Sequence, residues 1–216
     1  NVAEEDAIGN AIYMVDAATG ERLWWASATG ANLNISSMVN SIPASLSAID
    51  ISGDGHVDYF FAADMGGRVF RVDINPNNTG PGDFAVGGAI ASLSGESNTD
   101  NRRFYNKPNV SLVKDKQYGD YLTIALGSGH RAHPIYTTDV ENRFYVLKDF
   151  NPYSVPSSYV ALTEAAESKK ALSNGELPNP SLVYNATDIM NGEELSIDMQ
   201  SLLSSGGGFY VTFDTH

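Results

Sequence analysis

Between Asp50 and Asp58 the chain carries an oxygen-bearing side chain at every second position, then one more four residues on, and runs directly into the apolar stretch Tyr59-Phe60-Phe61-Ala62-Ala63. Numbered from Asp50, the loop has Asp50, Ser52, Asp54 and Asp58 at positions 1, 3, 5 and 9, with the backbone carbonyl of His56 at position 7. That is the ligand order of an EF-hand calcium loop. Gly55 stands at position 6, where the turn is too sharp for a side chain, and Val57 at position 8 is placed to pin the loop to a core. Hard oxygen donors on a flexible loop, in a chain without cysteine, select Ca2+ over a thiolate metal or the stricter octahedron of Mg2+.

The pattern departs from an EF-hand at position 12, where Phe61 replaces the bidentate Glu, and a β-rich run follows in place of a helix. Loss of that ligand moves the expected affinity toward the roughly 10⁻⁴ to 10⁻³ M of extracellular modules. Such a site fills only where calcium is abundant. Asp- and Gly-rich turns that bind nothing use the same residues. Four oxygen side chains in register distinguish this run from them, and without a cation Asp50, Asp54 and Asp58 would repel one another.

The elements that must hold this loop read as strands. Ile42 to Ile49 leads into it and Val57 to Ala63 leads out; Asp64-Met65-Gly66-Gly67 then turns into Arg68-Val69-Phe70-Arg71-Val72-Asp73. The site is therefore expected at the mouth of a hairpin. Upstream, Ala11 to Asp16 and Arg22 to Ala26 form a second hairpin, with Asp16 and Gly20 supplying the turn. Downstream, Val110 to Lys114, Tyr121 to Leu126 and Asn142 to Asp149 are strands, and the chain closes on a strand from Phe209. Ser158 to Leu172, with its Ala and Lys residues, is the one expected helix, and Glu193 to Leu203 reads as either type.

Composition narrows the function classes. The 216 residues include 42% hydrophobic ones, with 11 Tyr and 9 Phe, enough for a packed interior. A net charge of -13 disfavours nucleic acid and anionic lipid as partners. With no cysteine there is no disulfide scaffold and no thiol nucleophile, and no run approaches the length of a membrane helix. The start at Asn1, without methionine or signal peptide, and the strand-like end at Phe209 to His216 read as a piece of a larger protein.

Three segments echo one another: Ile12-Tyr13-Met14-Val15-Asp16, Val69-Phe70-Arg71-Val72-Asp73 and Phe144-Tyr145-Val146-Leu147-Lys148-Asp149. Aromatic strands that recur and end on Asp give an all-β fold: a partial, modified β-propeller of about three blades of antiparallel sheet with long loops. The whole of 1–216 is then a fragment of one propeller domain, with rough units 1–73, 74–149 and 150–216.

Three motifs carry a family likeness: Gly9 to Glu21, the Asp50 loop running into Asp64-Met65-Gly66-Gly67-Arg68-Val69-Phe70-Arg71-Val72-Asp73, and Ala125-Leu126-Gly127-Ser128-Gly129-His130-Arg131-Ala132-His133-Pro134 with Asn142 to Asp149. In this order they resemble the C-terminal propeller of PilY-type type IV pilus proteins, over most of residues 9 to 149. The resemblance implies a non-enzymatic bacterial protein at the cell surface or pilus tip. It implies roles in pilus biogenesis, twitching motility and adhesion, with pilus components such as minor pilins and a host or abiotic surface as partners. It also places Asp50, Ser52, Asp54, His56 (carbonyl) and Asp58 on the ligand positions of that family's calcium loop. Ser52 replaces the more usual Asp or Asn, and the chain has no Arg-Gly-Asp tripeptide, so integrin binding does not carry over.

Two other readings compete. Asp16-Ala17-Ala18-Thr19-Gly20-Glu21 with Trp24 or Trp25 also resembles a blade of quinoprotein dehydrogenases, although that motif occurs once here and the calcium ligands are contiguous. Integrin-like calcium-repeat propellers share the loop but repeat it, and this chain has one copy. Hydrolase chemistry lacks a Gly-x-Ser-x-Gly elbow, and His130 with His133 is a weak zinc pair.

Overall fold

Tyr59-Phe60-Phe61-Ala62-Ala63 shows no polar alternation because both of its faces are covered. All five residues are buried in the computed structural model. Tyr59, Phe61 and Ala63 face one apolar core, while Phe60 and Ala62 face another. A strand packed on both faces reads as a continuous apolar run.

The structure describes residues 5–75, 77, 80–95, 97, 99–131, 140–166, 178–187 and 206–213. Among the described residues, thirteen strands lie in three sheets. The first sheet orders β1 (Ile12–Val15), β2 (Arg22–Ser27) and β3 (Leu33–Asn34) side by side. The middle sheet is the four-stranded meander β4 (Ser47–Ile49), β5 (Tyr59–Ala63), β6 (Arg68–Ile74) and β7 (Ala85–Ser92). The third contains β8 (Asn109–Val113), β9 (Tyr121–Gly127), β10 (Arg143–Asp149), β11 (Thr163–Glu164), β12 (Leu182–Asn185) and β13 (Gly208–Thr212), in the order β11-β12-β13-β10-β9-β8. Ile12, Trp24 and Ala26 pack the first sheet on one face of the middle sheet. Leu122, Ile124, Tyr145 and Leu147 pack the third on the other.

The all-β expectation holds, with differences of detail. Pairs β2–β3, β11–β12 and β12–β13 run parallel, so the sheets are not antiparallel throughout. The expected boundary at 73/74 falls inside β6, one residue before its end. Residues 158–166 form no helix. Leu162 bridges to Ala91, and Thr163 and Glu164 pair with β12, so sheet pairing overrides the local helix preference. The remainder of that expected helix, and Glu193 to Leu203, lie outside the described residues. No helix among the described residues is long and apolar enough to cross a membrane.

The middle and third sheets are joined by a buried charge cluster. Arg71 on β6 is fully buried. Its Nε and Nη2 donate to Asp73, and its Nη1 donates to Asp149 on β10 at 2.6 Å. The remaining N–H groups reach the carbonyls of Asn151 and Ser154, and the guanidinium lies 4.3 Å over the Tyr59 ring. Every donor of the planar fork is used. The segment 150–162 is thereby strapped across the end of the middle sheet, with Tyr59 Oη donating to the Pro152 carbonyl and Tyr159 Oη to Asp73. Gly88 gives the strap room, since a Cβ there would stand 2.6 Å from Tyr159 Cβ.

At the other end of β5, Asp64 organises the turn into β6. Its Oδ1 accepts the N–H groups of Gly66 and Arg68, at 2.9 and 2.8 Å. Oδ2 is buried without a hydrogen bond, 3.7 Å from Arg68 Nη1. Burial outweighs that loose ion pair and pushes the Asp64 pKa up to about 7 from the ordinary 3.8.

Replacing Arg71 with Met strands Asp73 and Asp149 as buried charges. Arg71→Met should lower unfolding free energy by about 3–5 kcal/mol in chemical denaturation. Tyr153→Phe, which removes only the exposed hydrogen bond to Asp120, should change it by less than about 1 kcal/mol. For Asp64 the folded protein holds its proton to higher pH than the unfolded chain, so stability falls as pH rises from about 4 to about 7. Denaturation measured across that range should show the slope in the wild type and lose it in Asp64→Asn.

Candidate metal centre

A loop that carries three carboxylates within nine residues has to place their charge. Here β4 and β5 pair antiparallel, with Ile49 opposite Tyr59, and residues 50–58 connect them. The loop lies at the mouth of a hairpin as the spacing predicts. Gly53 and Gly55 adopt φ of 75° and 87°, the left-handed region that a side chain disfavours. The Gly at position 6 thus does what a calcium loop requires of it.

The side chains at positions 1 and 3 meet: Ser52 Oγ donates to Asp50 Oδ1 at 3.2 Å. The Asp54 N–H at position 5 also reaches Asp50 Oδ1, at 3.2 Å. Asp50 Oδ1 accepts the N–H of Gly53 at 2.6 Å, and its Oδ2 accepts the N–H of Gly55 at 2.8 Å, so position 6 is tied back to position 1. Asp58 at position 9 folds onto the start of the loop, its Oδ2 accepting the N–H groups of Ile51 and Ser52 at 2.7 and 2.9 Å. Asp54 Oδ1 accepts the His56 N–H and lies 3.3 Å from the His56 ring. The His56 side chain is exposed and offers no donor to the loop interior beyond that contact.

These bonds favour the ionised forms of Asp50 and Asp54. The Gly55 amide foremost lowers the Asp50 pKa, and the His56 amide foremost lowers that of Asp54. Both side chains face water. Their contribution is present at neutral pH and is lost as acid protonates them.

The loop's anchor is not the one expected. Val57 at position 8 is 42% exposed. Ile51 at position 2, together with Ile49, packs against the core shared by the middle and third sheets. Phe61 at position 12 is fully buried on β5 and supplies no ligand.

The donor set fits calcium in type, order and loop geometry, all oxygen and mostly anionic. The carboxylates themselves are turned onto backbone amides. Among the described residues no three His, Cys, Asp or Glu side chains converge closely enough to hold a metal. The His130 and Tyr105 ring centroids lie 6.0 Å apart with the rings tilted by 31°, and His133, the other member of the weak histidine pair, lies outside the described residues.

Sequence reasoning missed the wall beside this loop. A cavity of about 370 Å³ is lined by Ile51, Ser52 and Asp58 on one side and by Tyr153, Ser154 and Val155 of the strap on the other. Arg71 and Asp73 form its floor. The run Phe150 to Val155, interrupted by Pro152 and without periodicity, gives no sign that it crosses to another sheet.

No protein-family model matches the chain, and no curated protein matches it. Among solved structures it is similar to the crystal structure of the Pseudomonas aeruginosa PilY1 C-terminal domain, with a TM-score of 0.58 at 16% sequence identity. The match covers 98% of this chain and 46% of that one, so the chain spans less than half the length of its structural neighbour. At that identity the likeness is one of fold: the three-sheet arrangement described above resembles part of the PilY1 C-terminal domain.

Proposed function

We propose that this chain is part of a non-enzymatic, calcium-binding protein of the type IV pilus, exposed at the cell surface. In this reading it acts in pilus biogenesis, twitching motility and adhesion. The observation that supports the reading is the joint occurrence of an EF-hand-ordered loop, closed at its sixth position by Gly55, and a fold similar to the PilY1 C-terminal domain. Partial β-propeller architecture belongs to the same reading, as do minor pilins and a host or abiotic surface as partners.

Asp50, Ser52, Asp54, Asp58 and the His56 carbonyl would hold the ion. Calcium, when bound, supplies the positive charge that lets the three carboxylates approach one another. Asp50 and Asp58 then exchange part of their amide bonding for coordination, while Gly53 and Gly55 keep the backbone in its turn. Ile51 keeps the loop seated on the core. The consequence is a stiffer loop on one edge of the middle sheet, beside the strap.

An affinity of roughly 10⁻⁴ to 10⁻³ M would stabilise the folded state by about 1.4–2.7 kcal/mol at about 10 mM calcium. That corresponds to a rise in Tm of roughly 3–10 °C for a chain of this size. Asp54→Ala, at an exposed side chain, should leave the calcium-free Tm nearly unchanged and remove most of the rise. Magnesium should give little of it in the wild type. An equal rise in wild type and variant would refute the assignment.

A further inference from the structure

The cavity between the 50–58 loop and the strap is built to receive something. Its walls are Ile51 from the loop, Ile74 from the middle sheet and Tyr153 and Val155 from the strap, with Ser52 and Asp58 at one rim. Tyr153 and Val155 are 58% and 52% exposed, large apolar side chains left in water on the same lip. Exposed apolar surface rimmed by polar groups marks interaction sites. The volume of about 370 Å³ lies within the range of ligand pockets.

Charge decides the kind of ligand. Arg71 at the floor is the one cation among the described residues lining the cavity, and its N–H groups are already committed to Asp73, Asp149 and the carbonyls of Asn151 and Ser154. It has nothing to offer a carboxylate or phosphate. Asp58 lines the rim on the loop side, with Asp50 and Asp54 on the same loop, and on the strap side Tyr153 Oη donates to Asp120 at 2.7 Å. The chain as a whole carries -13. An anionic partner is therefore repelled twice over, and a cationic one attracted.

We infer that this groove docks a basic peptide segment, seating one large apolar side chain between Ile51, Ile74, Tyr153 and Val155 while an adjacent Arg or Lys meets the acidic rim. The walls are set by the strap's bonds to Arg71 and Tyr59 and by amide bonds within the loop. The groove is therefore formed without an ion, although it shares Ser52 and Asp58 with the candidate calcium ligands.

The probe is the dipeptide acetyl-Trp-Arg-amide, with acetyl-Trp-Glu-amide as its charge-reversed control, titrated into the ¹⁵N-labelled protein in EDTA at low salt. Amide shifts should be confined to residues around Ile51, Ile74 and 153–155. The Arg peptide should bind roughly two- to fivefold more tightly than the Glu peptide, as expected for one exposed ion pair, with the difference shrinking in high salt. Val155→Lys, at an exposed position, should weaken binding of the Arg peptide, and Leu23→Lys, exposed on the first sheet, should leave it unchanged. The free spectra of both variants report whether each is folded. Shifts centred elsewhere, equal binding of the two peptides, or undiminished binding by Val155→Lys would each overturn the proposal.

Discussion

Arg71 is the side chain on which the arrangement of the functional surface depends. Moving a guanidinium out of water is costly, and here it is offset only because two carboxylates and two carbonyls surround the same planar group. The four partners come from three places: Asp73 from its own strand, Asp149 from the third sheet, and Asn151 and Ser154 from the strap. Apolar packing alone would let the two sheets slide by small steps, because it is non-directional. The bidentate and forked bonds of Arg71 leave one register.

That constraint reaches the 50–58 loop through short paths. Tyr59, the first residue of β5, lies under the guanidinium and donates to the strap. Ile51 is seated on the same core two residues after the last residue of β4. The loop is thus exposed at its tip and fixed at both ends. Ligand chemistry placed on such a loop acts against a rigid frame, so an ion there would alter a defined edge of the molecule. The groove beside it shares Ser52 and Asp58 with the candidate ligands, and charge on one is felt by the other.

Much of this was legible in the residues. The hairpin turn at Asp16 reads directly, because Asp16 Oδ1 takes the Ala18 and Thr19 amides and Gly20 supplies the positive φ. The role of Gly55 and the strand leaving the calcium-type loop were equally local, whereas of the strand expected over Ile42 to Ile49 only Ser47–Ile49 forms. What escaped was set by tertiary contact. Strand β7 carries Gly87 and Gly88, poor strand formers in isolation, and the second of them is dictated by Tyr159 lying against it. Glu164 sits in a stretch with helical propensity, yet it is drawn into the third sheet, where it pairs with both Arg102 and Arg143. Val57 looked like the loop's apolar pin, and Ile51 does that work because the side of the loop nearest the core is set by how β4 enters it. Parallel pairing of β12 with β13 leaves no mark on composition.

The account turns on whether the acidic side chains of the 50–58 loop leave their amides to coordinate calcium. The most direct measurement is a crystal structure grown in calcium, with the anomalous signal used to locate the ion. The expected result is one anomalous peak about 2.3–2.6 Å from carboxylate oxygens of Asp50, Asp54 and Asp58 and from the His56 carbonyl. Ordered water alone in that position, with Asp50 still bonded to the Gly53 and Gly55 amides, would contradict it.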